Sequence, residues 1–203
     1  MESTNGGGLN APVPTTAGGP DYGRFVEAVR ALGDHARMAD APDAVITRAA
    51  DLIAQVNDLL APYDADEWHS PSGRRTDLPN NGGVLQVPAD LQITDDGQVS
   101  GTVRFRPFHL GRNGAAHGGA LGLLFDSLLG YTAFRYTGGT RQRTAYLHIN
   151  YRSITPIGRD LQVRAHVERA EGRKLFVGGA LIDGDTVLAD AEGLFVKLNP
   201  GQP

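Results

Sequence analysis

Five stretches of this 203-residue chain alternate apolar and polar positions with a period of two, and one long helical stretch interrupts them after the first. Val99, Gly101, Val103 and Phe105 make the first stretch. Leu147, Ile149 and Tyr151 make the second, and Leu161, Val163, Ala165 and Val167 the third. Leu175, Val177, Gly179 and Leu181 follow, and Leu194, Val196 and Leu198 close the set. A period of two argues for antiparallel strands with one covered face. Turn residues separate them at Asp95-Asp96-Gly97, Pro156-Ile157-Gly158, Glu171-Gly172 and Asp183-Gly184. Sequential strands with a single inserted helix, about Gly119 to Arg135, make an α+β layer fold in which the helix covers the sheet's apolar face.

On a helical wheel Leu121, Leu124, Phe125, Leu128, Leu129 and Thr132 fall on one side, the stripe that faces the sheet. Asp126 lies off that stripe, beside Gly122, Gly130 and Ala133, with Gly119 above it. Each glycine inside a helix costs about 1 kcal/mol relative to alanine. Several around one carboxylate imply close approach of a substrate, a second subunit, or both.

The segment His117-Gly118-Gly119 opens this helix. A helix N-terminus presents unpaired N–H groups and the positive end of the helix dipole, and glycine leaves those groups uncovered. The mouth can therefore bind a developing oxyanion, with Asp126 two turns further in as a base beside it. Other chemistries lack their residues. The chain has no cysteine, no Gly-x-Ser-x-Gly elbow, and no histidine three or four positions from His117. Thiolate or serine nucleophiles and a catalytic metal have no signature here, and neither a metal nor a cofactor is expected. What is left is a carboxylate that activates water or attacks a carbonyl directly.

Towards the N-terminus, Tyr22 to about His35 has helical spacing at Phe25, Val26, Val29 and Leu32. A second helix starts near Pro42 and ends by Pro62. Its apolar positions Val45, Ile46, Ala49, Leu52, Ile53, Val56, Leu59 and Leu60 form one stripe, expected to pack on the body of the domain or on a partner subunit. Residues 63–83 are polar and rich in Pro, Gly and Asn, which is loop chemistry, with Trp68 as a local packing anchor. The domain boundaries read as a flexible leader over 1–21, a helical extension and loop over 22–83, and the α+β domain over 84–200. The leader lacks the basic start and apolar core of a secretory signal. With 23 acids against 19 bases there is no basic surplus for nucleic acid, and no apolar run reaches membrane-spanning length. The absence of thiols suits a reducing compartment, and a cytoplasmic location is the expectation.

The run His117-Gly118-Gly119-Ala120-Leu121-Gly122-Leu123-Leu124-Phe125-Asp126 resembles the HGG-(x)₆-D helix of the PaaI-like hot-dog-fold acyl-CoA thioesterases. Thr144-Ala145-Tyr146-Leu147-His148-Ile149-Asn150-Tyr151-Arg152 is similar to the family's T-A-x-L-x-I-x-Y-(R/K) strand. Glu171 to Val177 and Leu194 to Pro200 look most like the branch containing the animal carboxyl-terminal modulator protein. The resemblance covers about residues 84–200. It implies a hot-dog fold, an antiparallel sheet wrapped around one long helix. It also implies pairing into a homodimer or dimer of dimers, with active sites at the dimer interface.

The activity it implies is hydrolysis of a fatty or other acyl-CoA to free acid and CoA, a step of lipid metabolism. Carried over residue by residue, Asp126 is general base or nucleophile, Gly118 supplies an oxyanion-directed N–H, His117 shapes that site, and Thr144 orients water or the carboxylate. Gly119 joins the substrate-binding set. So does Asn113, from the stretch Gly111-Arg112-Asn113 where some relatives carry an asparagine ahead of the HGG box, though without the relatives' spacing. Arg141, Arg143, Arg152, Arg173 and Lys174 lie in or beside the matching strands and suit the phosphates of CoA, with Arg152, Arg173 and Lys174 taken as substrate-binding. Two other classes compete: a non-catalytic acyl-CoA or lipid-binding regulatory module of the same fold, and a hydratase, which lacks its Asp-x-Asn-Pro-x-His box here.

Overall fold

Six strands join one antiparallel sheet: β1 (Ala89–Ile93), β2 (Val99–Arg104), β3 (Gln142–Tyr151), β4 (Asp160–Glu171), β5 (Lys174–Asp183) and β6 (Thr186–Lys197). Their spatial order is β1-β2-β4-β5-β6-β3. The structure is a computed structural model and describes residues 13–94 and 97–199. The described residues form two compact units that divide after Val84.

The long helix of the sheet unit, α3 (Gly118–Tyr136), follows β2 and leads into β3, the strand at the opposite edge. The chain must therefore cross the sheet, and α3 is the crossing. Its buried residues include all six of the wheel stripe, Leu121, Leu124, Phe125, Leu128, Leu129 and Thr132. The five apolar ones share one core cluster with Val99, Val103 and Phe105, with Leu161, Val163 and Ala165, and with Leu175, Val177 and Leu181. Burying a Leu or Phe side chain of this kind stabilises by about 1.5–3 kcal/mol, so this cluster fixes which face of the sheet receives the helix.

Three particulars differ from the sequence-based expectation. The short edge strand β1 is not among the expected strands; Ala89-Asp90-Leu91-Gln92-Ile93 alternates over five residues only, and Ala89 and Leu91 pack on the core. In β6 beyond Leu188 the buried residues are Ala189, Ala191, Gly193 and Phe195, of opposite parity to Leu194, Val196 and Leu198. Phe195 pairs with Leu175 on β5, a core residue, and residues directly opposite in an antiparallel pair share a face. Ala133 is fully buried, and a Cβ on Gly130 would lie 3.5 Å from the Phe195 ring. Internal packing thus accounts for those two positions. Only Gly122 of that group faces open space.

The other unit contains α1 (Tyr22–Met38) and α2 (Asp43–Leu60). Val26 is buried in α1, while no residue of α2 is buried. Residues 13–21 of the expected leader are bonded to the loop after the helices. Thr15 N–H donates to the Arg74 carbonyl, and the buried Arg75 donates to the carbonyls of Ala17 (3.1 Å) and Gly19 (3.0 Å). Arg75 also forms a two-point pair with Asp77, at 2.8 and 2.7 Å. Half-buried Trp68 sits in the same loop region. Residues 1–12 of the leader, Asp95-Asp96 of the first turn, and Pro200 lie outside the described residues.

Candidate active site

The mouth of α3 is built by its N-cap, His117. Its backbone is extended (φ −66°, ψ 137°), and its Nδ1 accepts the N–H of Gly119 at 2.9 Å. A backbone amide can only donate, so Nδ1 is the unprotonated nitrogen and the neutral ring carries its proton on Nε2. The His117 N–H donates to the carbonyl of His109 (2.8 Å). His109 is itself buried, with Nδ1 accepting the Arg106 N–H at 2.9 Å. The cap is therefore held from both sides.

This arrangement separates the two glycines. The Gly119 amide is consumed by the His117 ring, so it is a capping donor rather than a substrate contact. The Gly118 N–H has no acceptor among the described residues. It is a donor left open at the positive end of a 19-residue helix. The phenol of Tyr151, at the end of β3, donates to the Gly118 carbonyl at 3.2 Å. A Cβ on Gly118 would come within 3.3 Å of that phenol oxygen, so a glycine is what lets strand and helix mouth meet. Sequence reasoning read Tyr151 only as a strand position. Its place in the T-A-x-L-x-I-x-Y motif, on the same strand as Thr144, was the available signal.

Asp126 is exposed, and its Oδ1 accepts a hydrogen bond from the Thr144 hydroxyl at 2.9 Å. The pair exists because of a β-bulge. Thr144 lies opposite Phe195 while Tyr146 lies opposite Leu194, so Ala145 is the extra residue in β3. Leu147 and Ile149 pack towards the core, and unbroken alternation from them would turn Thr144 to the outer face. The bulge returns it to the helix side, level with Phe195.

Asp126 does not stand beside the mouth of its own helix. It is eight residues of helical rise from Gly118, about 12 Å. One carbonyl needs base and oxyanion donor each within about 3 Å, so the two groups of one chain cannot serve the same substrate. The sequence-based expectation of a base beside its own helix mouth is corrected by that distance.

The remaining candidates divide between the two ends of the site. Asn113 is exposed at φ +54°, followed by Gly114 at φ +75°. The Ala115 N–H returns to the Arg112 carbonyl at 3.0 Å. This is a type I′ turn, for which Asn-Gly is the favoured pair, and turn chemistry explains the asparagine without a substrate. Arg152 is engaged by Asp190 through two nitrogens, at 2.5 and 3.3 Å, and Asn150 donates to the same carboxylate at 2.7 Å. Arg152, and after it Asn150, hold the Asp190 carboxyl below the ordinary carboxylate range. Arg152 is thus an ion-pair partner on the sheet. Arg173 and Lys174 lie at the β4–β5 turn, at the Asp126 end. Lys174 pairs with Val196, which on its other side pairs with Arg143, the neighbour of Thr144. Among the described residues no three His, Asp or Glu side chains cluster so as to hold a metal ion, and no helix is long and apolar enough to cross a membrane.

Comparison with known proteins identifies this architecture. The thioesterase superfamily profile matches residues 113–189, which include the α3 mouth, Asp126 and Thr144. The acyl-coenzyme A thioesterase THEM4 of Bos taurus is 35% identical over 96 residues, 46% of this chain and 38% of its own length. This chain spans about two fifths of the THEM4 proteins it matches. The Pseudomonas aeruginosa protein PA0474, whose name places it provisionally among esterases, is 30% identical over 99 residues, 48% of this chain and 74% of its own. The crystal structure of RHA08564, a thioesterase superfamily protein, superposes with a TM-score of 0.75 at 26% identity. It covers 95% of this chain and 97% of that one, so the match takes in the N-terminal helices as well as the sheet. With its six-stranded antiparallel sheet folded against α3, the chain belongs to the thioesterase superfamily and has its hot-dog fold.

Proposed function

We propose that this protein hydrolyses acyl-CoA thioesters, with each active site shared between two copies of the chain. The observation that carries the proposal is the placement of the open Gly118 amide at the first residue of α3 and of the Thr144–Asp126 pair two turns further along the same helix. Strand β3 is an edge of the sheet, bonded among the described strands only to β6, and a long exposed edge calls for a cover. The mouth of α3 lies at the Tyr151 end of β3 and Asp126 at the Thr144 end. Antiparallel pairing of two β3 edges brings each Tyr151 end to the other copy's Thr144 end, and the second copy's Gly118 towards Asp126.

In that site the thioester carbonyl oxygen accepts the Gly118 N–H of one copy. Asp126 of the other copy, held through Oδ1 by Thr144, uses Oδ2 to take a proton from water. The water oxygen bonds to the carbonyl carbon, and the charge that gathers on the carbonyl oxygen is met by the amide and the helix dipole. Collapse breaks the C–S bond. CoA leaves as the thiolate, receives the proton from Asp126, and the acid product departs. Arg143, Arg173 and Lys174, at the Asp126 end, suit the CoA phosphates.

A panel of acyl-CoAs with a thiol reagent that reads released CoA tests the proposal, and the absence of cysteine in the chain gives it a clean background. Turnover of at least one member is expected. CoA binding without turnover of any member overturns the enzyme reading in favour of a binding module.

A further inference from the structure

Helix α2 carries its apolar residues on a seam that no described residue of its own unit buries. The seven large ones, Val45, Ile46, Leu52, Ile53, Val56, Leu59 and Leu60, are exposed by between 37% at Ile53 and 68% at Leu59. Their spacing is regular. Val45, Ala49, Leu52, Val56 and Leu59 follow one another at steps of four, three, four and three, and Ile46, Ile53 and Leu60 flank them one heptad apart. Over two heptads this makes one continuous apolar stripe, a face that a helix buries against a partner surface. An isolated helix of this length is marginal in water without such a partner. The structural match to the solved thioesterase superfamily protein extends over 95% of this chain, so the helical unit is part of the architecture that match covers.

We propose that the partner is α2 of a second copy of this chain, joined seam to seam about a two-fold axis. The charges support self-pairing. Asp43, Asp51 and Asp58 occupy the outer heptad positions, away from the seam. Arg48 is the one charged residue flanking it. Two identical seams therefore meet apolar against apolar, with no like-charged acids brought together. The same distribution disfavours a lipid surface, which selects helices with a basic polar face, whereas this helix has three acids against one base. The pairing is independent of the thioesterase chemistry, because no residue of the seam lies in the proposed active site.

The absence of native thiols makes cysteine cross-linking the direct test. Leu52→Cys stands at the middle of the seam, close to a two-fold axis in either helix orientation. Asn57→Cys, on the exposed opposite side, is the control. Under mild oxidation of the full-length protein at micromolar concentration, Leu52→Cys is expected to give a reducible dimer about tenfold or more faster than the control, as a paired helix raises the local thiol concentration. Adding Ile53→Glu to Leu52→Cys should remove that advantage while circular dichroism and acyl-CoA hydrolysis persist. Equal rates for Leu52→Cys and Asn57→Cys overturn the proposal. So does vesicle binding by the wild-type protein that is lost on Ile53→Glu, because it identifies a lipid surface as the occupant.

Discussion

The Thr144 hydroxyl reaches Asp126 Oδ1 at 2.9 Å because Ala145 is bulged out of β3. One extra residue turns a side chain that alternation would send outward into the group that orients the carboxylate. Thr144→Val keeps the shape of the side chain and removes the hydroxyl. A hydrogen bond to a charged group contributes enough that kcat should fall roughly tenfold, while Thr144→Ser keeps most of the rate. Steady-state kinetics on the best substrate of the acyl-CoA panel reads the difference, and equal kcat for Val and Ser variants would remove Thr144 from its role.

The 12 Å of helix between Gly118 and Asp126 makes a sharper demand. If each site takes Gly118 from one copy and Asp126 from the other, two separately inactive chains should rescue each other. Asp126→Asn removes the base, a loss of about 10²–10⁴ in rate. Gly118→Val drives a side chain into the Tyr151 phenol. A dimer of one chain of each kind retains one intact site of two. Random co-assembly yields half such dimers, so the mixture should recover about a quarter of wild-type activity. Recovery of nothing would place both groups in one chain's site.

Much of this was legible in the sequence for a plain reason. The α3 stripe and strands β2 and β4 each bury one regular face, so periodicity reports them directly, and in β5 the large residues Leu175, Val177 and Leu181 do the same although Gly178 and Ala180 of the other face are also buried. Strand β6 misled because both its faces are apolar near the end. Phe195 and Leu194 compete, and only pairing with Leu175 decides between them. The position of Thr144 was hidden by the bulge, which breaks the period that a sequence reader relies on. Asn113 has the residue type of a ligand contact, but the Asn-Gly dipeptide is also a turn signal, and the left-handed backbone at both residues shows the turn. The division of labour between Gly118 and Gly119 depends on where the His117 ring points, which no spacing reveals.

That ring makes His117 a structural cap, directly before the open Gly118 amide. His117→Ala should leave the Gly119 amide without its partner and cost about 1 kcal/mol of stability, the usual value of an N-cap. His117→Asn supplies another capping oxygen and should recover most of it. Denaturant unfolding measures the difference. If Ala and Asn variants unfold at the same midpoint, the cap contributes nothing to α3.

The Asp190 carboxyl, held low first by Arg152 and then by Asn150, predicts a pH dependence with a definite sign. A carboxyl whose folded value lies below its unfolded value stabilises the fold fully above the unfolded value. That contribution is lost as pH falls through the folded one. Both side chains are partly exposed, so the effect is modest and weakens with salt. Asp190→Asn should lower Tm at neutral pH and flatten the acid side of the Tm–pH curve. Parallel curves for wild type and variant would show that the pair does not contribute.

Asp126 Oδ1 is occupied by Thr144, which leaves Oδ2 as the oxygen available for chemistry. A base uses Oδ2 to deprotonate water. A nucleophile uses it to form an anhydride with the acyl group. A single turnover in water enriched in ¹⁸O detects the anhydride wherever water attacks its Asp126 side. With general-base catalysis the solvent oxygen enters the acid product in the first turnover, and Asp126 stays unlabelled. Anhydride formation delivers an aspartate oxygen to the product whenever water attacks the Asp126 side, and the label then appears in the enzyme carboxylate. Mass spectrometry of product and enzyme after one turnover reads both. Label in the product alone is the result expected of the general-base route. Label in Asp126 would assign it the nucleophilic role.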